Sequence, residues 1–234
     1  MSAPSSSFLL PPATFRAGFK AASPIVLGYL PIGFAFGVLA RTAGLSVAEV
    51  ALMSLTVYAG SSQFIGVNML AAGAAAPAII STTFLVNLRH LLLSTALLPS
   101  FKENRPWQNA LLSYGITDET FAINASVLQG RPIGPSFVAG LHVTAQSSWV
   151  LASAMGALVG QMAGNHEALG LDFALSAMFI GLLMPHLRGD GASRRRVAAV
   201  VAAVVAVVMA LFGLANWGII IATVLAATVG VMLR

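Results

Sequence analysis

The chain has 234 residues, of which 58% are apolar and only 8% charged, with a mean hydropathy of +0.88; a soluble domain carries about 25% charged residues. It has no cysteine, which excludes disulfides, thiol catalysis and thiolate metal sites. The net charge of +5 comes from basic residues placed between apolar runs, a pattern that fits membrane topology control and argues against nucleic acid as a partner.

In chain order, residues 1–16 are Ser/Pro/Ala-rich, with no basic residue before Arg16, and read as a disordered tail. Residues 17–234 read as a single transmembrane domain. Apolar runs near the ~20 residues that cross a bilayer fall at 19–40, 47–72, 77–98, 107–129, 135–162, 168–187, 197–214 and 217–233. This predicts an all-α, polytopic membrane protein with seven to eight transmembrane helices. The last two form a hairpin around Ala215-Asn216-Trp217-Gly218. If all eight runs cross, Arg16, Lys20, Arg131, Arg188, Arg194, Arg195, Arg196 and Arg234 share one side, and Arg41, Lys102 and Arg105 the other. Both termini are then cytoplasmic. Faint matches at offsets of 85 (Tyr29 and Phe36 with Tyr114 and Phe121) and 86 (Ala59 and Ser61 with Ala145 and Ser147) suggest two inverted three-helix repeats, 19–100 and 107–188.

The first run holds Pro24, Pro31 and the pair Gly33/Gly37, which predicts a kinked helix in close contact with a neighbour. The second holds Gly60-Ser61-Ser62-Gln63 at its middle, which reads either as a break or as a continuous helix whose hydroxyls bond back to its own carbonyls. A break there exposes backbone N–H groups at the positive end of a half-helix, a place for a carboxylate. The third carries Asn87, Arg89 and His90. Arg89 lies about 18 Å and about 14 Å from the two ends of the run, too deep to reach water easily. It either meets a substrate carboxylate or pairs with an internal acid. The fourth supplies the acids, Asp118 and Glu119, about 100° apart around the helix and therefore suited to different jobs. One can pair with Arg89 while the other binds an ammonium group or carries a proton; His90 is a further proton-coupling candidate. His142 in the fifth run reads as a structural histidine. The four histidines show no ligand spacing, so no metal and no cofactor is expected, and no phosphate-binding loop is present.

With these residues in place, the chain resembles the AzlC family, the large subunit of branched-chain amino acid exporters. The resemblance rests on Pro24, Gly28-Tyr29-Leu30-Pro31, Gly33 and Gly37; on Ser54 and Ala59-Gly60-Ser61-Ser62-Gln63-Phe64; on Val86-Asn87-Leu88-Arg89-His90; and on Thr117-Asp118-Glu119. It implies an inner-membrane permease for valine, leucine, isoleucine and methionine, drawing on the proton gradient and working with a small hydrophobic AzlD-type subunit. It implies no enzymatic activity. Two other readings compete. One is an intramembrane serine hydrolase using Ser61 or Ser62 with His142. The other is a non-transporting scaffold whose buried charges serve only assembly.

Overall fold

A computed structural model describes residues 14–128, 134–160, 180, 183–184, 187–188, 191–213 and 215–233. The tail at 1–13, most of the 168–187 run, Arg131, His166 and His186 lie outside the described residues. All described elements are helical. The chain forms two compact units, Met1–Leu175 and Ser176–Arg234.

The first unit is built on a pair of long helices. α1 (Phe15–Ala21) and α2 (Ser23–Thr42) follow one another, separated at Ala22 ahead of Pro24. α8 (Pro135–Gly160) lies along both. The contacts fix the direction: Phe15 meets Gly140, Gly18 meets Phe137, Gly33 meets Trp149 and Ala152, and Val38 meets Gly160. Low numbers meet low numbers, so the two run parallel. Glycine makes the approach possible. A Cβ on Gly37 would strike the carbonyl of Ser153, and one on Gly156 would strike that of Phe34. Small residues at i, i+4 (Gly33/Gly37 and Gly156/Gly160) are the usual means of such backbone contact between membrane helices.

The second apolar run is two helices, α3 (Val47–Thr56) and α4 (Gly60–Ala71). α3 starts with a capping box between Ser46 and Glu49 and runs antiparallel to α8: Ser54 meets Ser153, and Leu55 meets Gln146. α4 then turns back along α3, with Gln63 against Ser54 and Gly66 against Met53. Leu70, near the end of α4, lines the same groove as Leu45, which precedes α3. The run is therefore not one continuous helix; its second half returns alongside the first. α5 (Ala76–Phe101) is antiparallel to α4, with Ser62 against Asn87 and Gly66 against Ile79.

The fourth run behaves the same way from the opposite end. It divides into α6 (Pro106–Tyr114) and α7 (Asp118–Leu128). Trp107 and Leu111 lie beside Pro135 and Ala139, and Tyr114 bonds Gln146, so α6 climbs alongside α8. Asn124 of α7 is back at the level of His142, and α7 ends at Leu128, seven positions before Pro135. The expectation of a continuous helix over 107–129 is thus corrected. Hydropathy reports the length of an apolar run, and a helical hairpin has the same length as a crossing helix.

These hairpins also correct the charge assignment. Lys102 and Arg105, at the end of α5 and the start of α6, share the end of the bundle occupied by α1 and the start of α8. They stand with Arg16 and Lys20, not with Arg41. The breaks do not respect the 85-residue offset either, which would pair unbroken α2 with broken α6–α7.

In the second unit, α9 (Ala192–Leu211) and α10 (Ala215–Met232) form an antiparallel hairpin, with Gly230 facing Ala198. Their connection contains Gly213 at φ 74°, and it precedes Ala215-Asn216-Trp217-Gly218 rather than coinciding with it. Arg195 and Arg196 lie inside α9 and donate to the carbonyls of Arg188 and Leu187.

α2 and α5 are each long and apolar enough to cross a membrane, with mean hydropathies of 1.8 and 1.3. α8 and α5 have 26 residues each, about 39 Å of helix.

Candidate functional site

The tips of the two hairpins meet beside α5. In the first, the chain bends at Tyr58, which takes a φ of 24°. For a residue with a Cβ, that left-handed conformation costs on the order of 1–3 kcal/mol, and the surrounding packing must sustain it. Ala59 then precedes α4 with no side chain able to cap it, so the first N–H groups of α4 point into the protein uncapped. Ala59, Ser61 and Ser62 are all buried.

The second tip is closed differently. Thr117 N–H donates to Thr120 Oγ1 (2.8 Å), Thr120 N–H donates to Thr117 Oγ1 (3.3 Å), and the Thr120 hydroxyl donates to the Gly115 carbonyl (2.9 Å). This reciprocal cap fixes the direction in which Asp118 and Glu119 leave the break. Gly115 lies flat against the His142 ring, where a Cβ would collide. Asn124 Nδ2 donates to His142 Nε2 (2.9 Å), which puts the hydrogen of this histidine on Nδ1.

Arg89 of α5 ties the tips together. Its Nη1 lies 2.7 Å from Asp118 Oδ2, and its Nη2 donates to Ser61 Oγ at 2.6 Å. Both charged side chains are 29% exposed, and Arg89 Nε has no partner. Each acid also sits in the first turn of α7, where the helix dipole favours negative charge. Glu119 faces the other way, with Oε2 accepting from Tyr29 Oη at 2.8 Å. The same tyrosine oxygen is 2.8 Å from Thr117 Oγ1. Ser62 donates to Asn87 Oδ1 at 2.5 Å. Residues from α2, α4, α5 and α7 thus form one polar cluster.

Of the residues singled out from sequence, the structure brings Ser61, Ser62, Asn87, Arg89, Asp118 and Glu119 into this cluster, with Gly60 at its edge as the first residue of α4. Two fall outside it. Gln63 is fully buried, and its amide is committed elsewhere: Nε2 donates to Ser54 Oγ (3.1 Å), and Oε1 accepts from Trp149 Nε1 (2.8 Å). It anchors α4 to α3 and α8 instead of facing a solute. Replacing Gln63 by Ala would orphan the Trp149 N–H, at a cost of about 2 kcal/mol. A lowered unfolding temperature of the detergent-solubilised protein is the expected result. His90 stays on its own helix, with Nδ1 3.1 Å from the Asn87 carbonyl. The serine-hydrolase arrangement is not assembled: Ser61 is held by Arg89 and Ser62 by Asn87, while His142 is bonded to Asn124.

Sequence reasoning missed Tyr29, Tyr58 and Thr117 as members of the site. Tyr29 packs edge-on against Trp149 at 5.1 Å, and the Tyr58 hydroxyl is buried without a hydrogen-bond partner. An apolar groove of about 590 Å³ adjoins the cluster. Met53, Val67, Ile79 and Phe84 contribute to its walls, and Ser62 and Asn87 form its polar end.

Comparison with known proteins follows the same segments. A family model described as AzlC protein matches residues 24–163, and one described as the MJ1155 family matches residues 167–234. The chain is 36% identical over 215 residues to an uncharacterized membrane protein of Archaeoglobus fulgidus, covering 90% of this chain and 91% of that one. It is 34% identical over 178 residues to inner membrane protein YgaZ of Escherichia coli, covering 74% and 73%. It is 28% identical over 169 residues to the branched-chain amino acid transport protein AzlC of Bacillus subtilis, covering 72% and 66%. No solved structure matches.

Proposed function

The chain belongs to the AzlC family and is a membrane protein related to transporters; from this premise we propose that it is the large subunit of a proton-coupled exporter of branched-chain amino acids (valine, leucine, isoleucine and methionine) in the inner membrane. A small hydrophobic AzlD-type protein is its proposed partner. Among the described residues, α2, α5 and α8 of the first unit and α9 and α10 of the second are the proposed crossings. The two hairpins enter from opposite faces without crossing. Arg16, Lys20, Lys102 and Arg105 gather at one face of the first unit against Arg41 at the other, a distribution that supports a cytoplasmic amino-terminal end.

The observation that carries this reading is the Arg89–Asp118 pair at the junction of the two hairpin tips. A zwitterion is the natural competitor for it. A substrate carboxylate takes the planar fork of Arg89 and the uncapped N–H groups around Gly60-Ser61-Ser62, and the substrate ammonium takes the released carboxylate of Asp118. Each charge keeps an opposite partner, so inserting the solute leaves no ion bare. The groove beside Ser62 and Asn87 accepts an aliphatic side chain through its apolar lining.

The deciding experiment reconstitutes the protein into vesicles loaded with labelled valine, with and without the small partner. Efflux accelerated by an imposed proton gradient is the expected result. Vesicles that retain valine under every condition, with correctly inserted protein, would overturn the assignment.

A further inference from the structure

We propose that Glu119, and not Asp118, is the side chain that takes up and releases the coupling proton, and that Tyr29 is the positioning residue that serves it in both protonation states. This rests on the proton-driven reading above.

The two acids differ in what surrounds them. Asp118 is committed to a cation, with Oδ2 at 2.7 Å from the Arg89 guanidinium. Adding a proton there would strip Arg89 of its counter-charge. Glu119 is bonded to no cation among the described residues; it accepts from a hydroxyl that belongs to a chain of hydroxyls. The titratable groups around it are Tyr29 from α2, Tyr58 from the first hairpin tip, Arg89 and His90 from α5, and Asp118 beside it on α7.

The hydroxyl chain supports either state. With Glu119 ionised, the Thr117 hydroxyl donates to Tyr29 Oη, and Tyr29 donates to Glu119 Oε2, both at 2.8 Å. With Glu119 protonated, its new O–H donates to Tyr29 Oη, and the Tyr29 hydrogen turns to Thr117 Oγ1. The Thr117 hydrogen turns in its place to Thr120 Oγ1, 3.4 Å away, whose own hydrogen rests on the Gly115 carbonyl. One proton is added, every hydroxyl hydrogen keeps an acceptor, and no heavy-atom bond is made or broken. The Tyr58 hydroxyl, 4% exposed, lies near Tyr29 and Glu119. Removing Tyr29 Oη breaks the chain at its centre, while leaving Arg89, Asp118 and Ser61 untouched.

The test reads the carboxyl group directly. Infrared difference spectra between acidic and basic pH are recorded on the purified protein in lipid nanodiscs, following the carbonyl stretch of a protonated carboxylic acid. The component of that band that belongs to Glu119 is expected in the wild type and in Asp118→Asn, and is expected to be missing from Glu119→Gln. In Tyr29→Phe the band should persist with its pH midpoint displaced, a change that a purely structural tyrosine would not cause. In vesicles, Glu119→Gln should lose the acceleration of valine efflux by a pH gradient. An unchanged band in Glu119→Gln, loss of the component in Asp118→Asn alone, or an unmoved midpoint in Tyr29→Phe would overturn the assignment. Should the wild type move no valine at all, the transport reading falls, while the spectra still decide which acid titrates.

Discussion

Arg89→Ala is expected to reduce valine efflux to background and to lower stability by about 2 kcal/mol, because it leaves the half-buried Asp118 charged without its cation. Asp118→Leu should cost a similar amount for the converse reason. The combined change Arg89→Met with Asp118→Leu removes both charges and fills their volume with apolar atoms. Its stability should return to within about 1 kcal/mol of the wild type, while efflux stays at background. Thermal unfolding of the four proteins in detergent, beside efflux from vesicles, checks the cycle. Additive losses in the double variant would mean that the two side chains are not coupled; preserved efflux in any of the three would remove the pair from transport.

Gly37→Leu and Gly156→Leu should each destabilise the protein by roughly 3 kcal/mol, because neither new side chain can be accommodated by a rotamer change. What each would meet is backbone: the Ser153 carbonyl in one case and the Phe34 carbonyl in the other. α2 and α8 would have to separate along their length. Gly28 on the same helix supplies the control, since a Cβ there meets nothing within 4 Å. Gly28→Ala should be neutral or stabilising by up to about 1 kcal/mol through helix propensity alone. Unfolding temperatures that fall in all three variants alike would remove the close α2–α8 contact as the cause.

The long helices were legible in the sequence because they obey the simplest rule, an apolar run of sufficient length. The 77–98 and 135–162 runs correspond to Ala76–Phe101 and Pro135–Gly160. The first break was legible because Gly60-Ser61-Ser62 concentrates residues that favour a helix start. The second was not, since Thr117 and Thr120 cap a helix with their side chains and look in one dimension like polar residues on a continuous helix face. The direction of the chain after each break was beyond hydropathy altogether. It depends on pairings such as Ser54 with Gln63 and Asn124 with His142. A trace of the relation was present: Ala51-Leu52-Met53-Ser54 before the first tip and Ala110-Leu111-Leu112-Ser113 before the second stand at an offset of 59. Among the site residues, the charges were visible because ions are conspicuous in an apolar chain. Tyr29 was not, because an aromatic residue between Gly28 and Pro31 looks like ordinary packing until the hydroxyl is seen against Glu119.

Each hairpin keeps both of its ends on one face, so each can shift without drawing its backbone through lipid. In the proposed exporter, a solute arriving from the face that holds Leu45 and Leu70 would meet the first hairpin, and one arriving from the face that holds Trp107 would meet the second. The two hairpins meet at one cation, since the guanidinium that bonds Ser61 on one also bonds Asp118 on the other, and a movement of either would be felt at the same side chain.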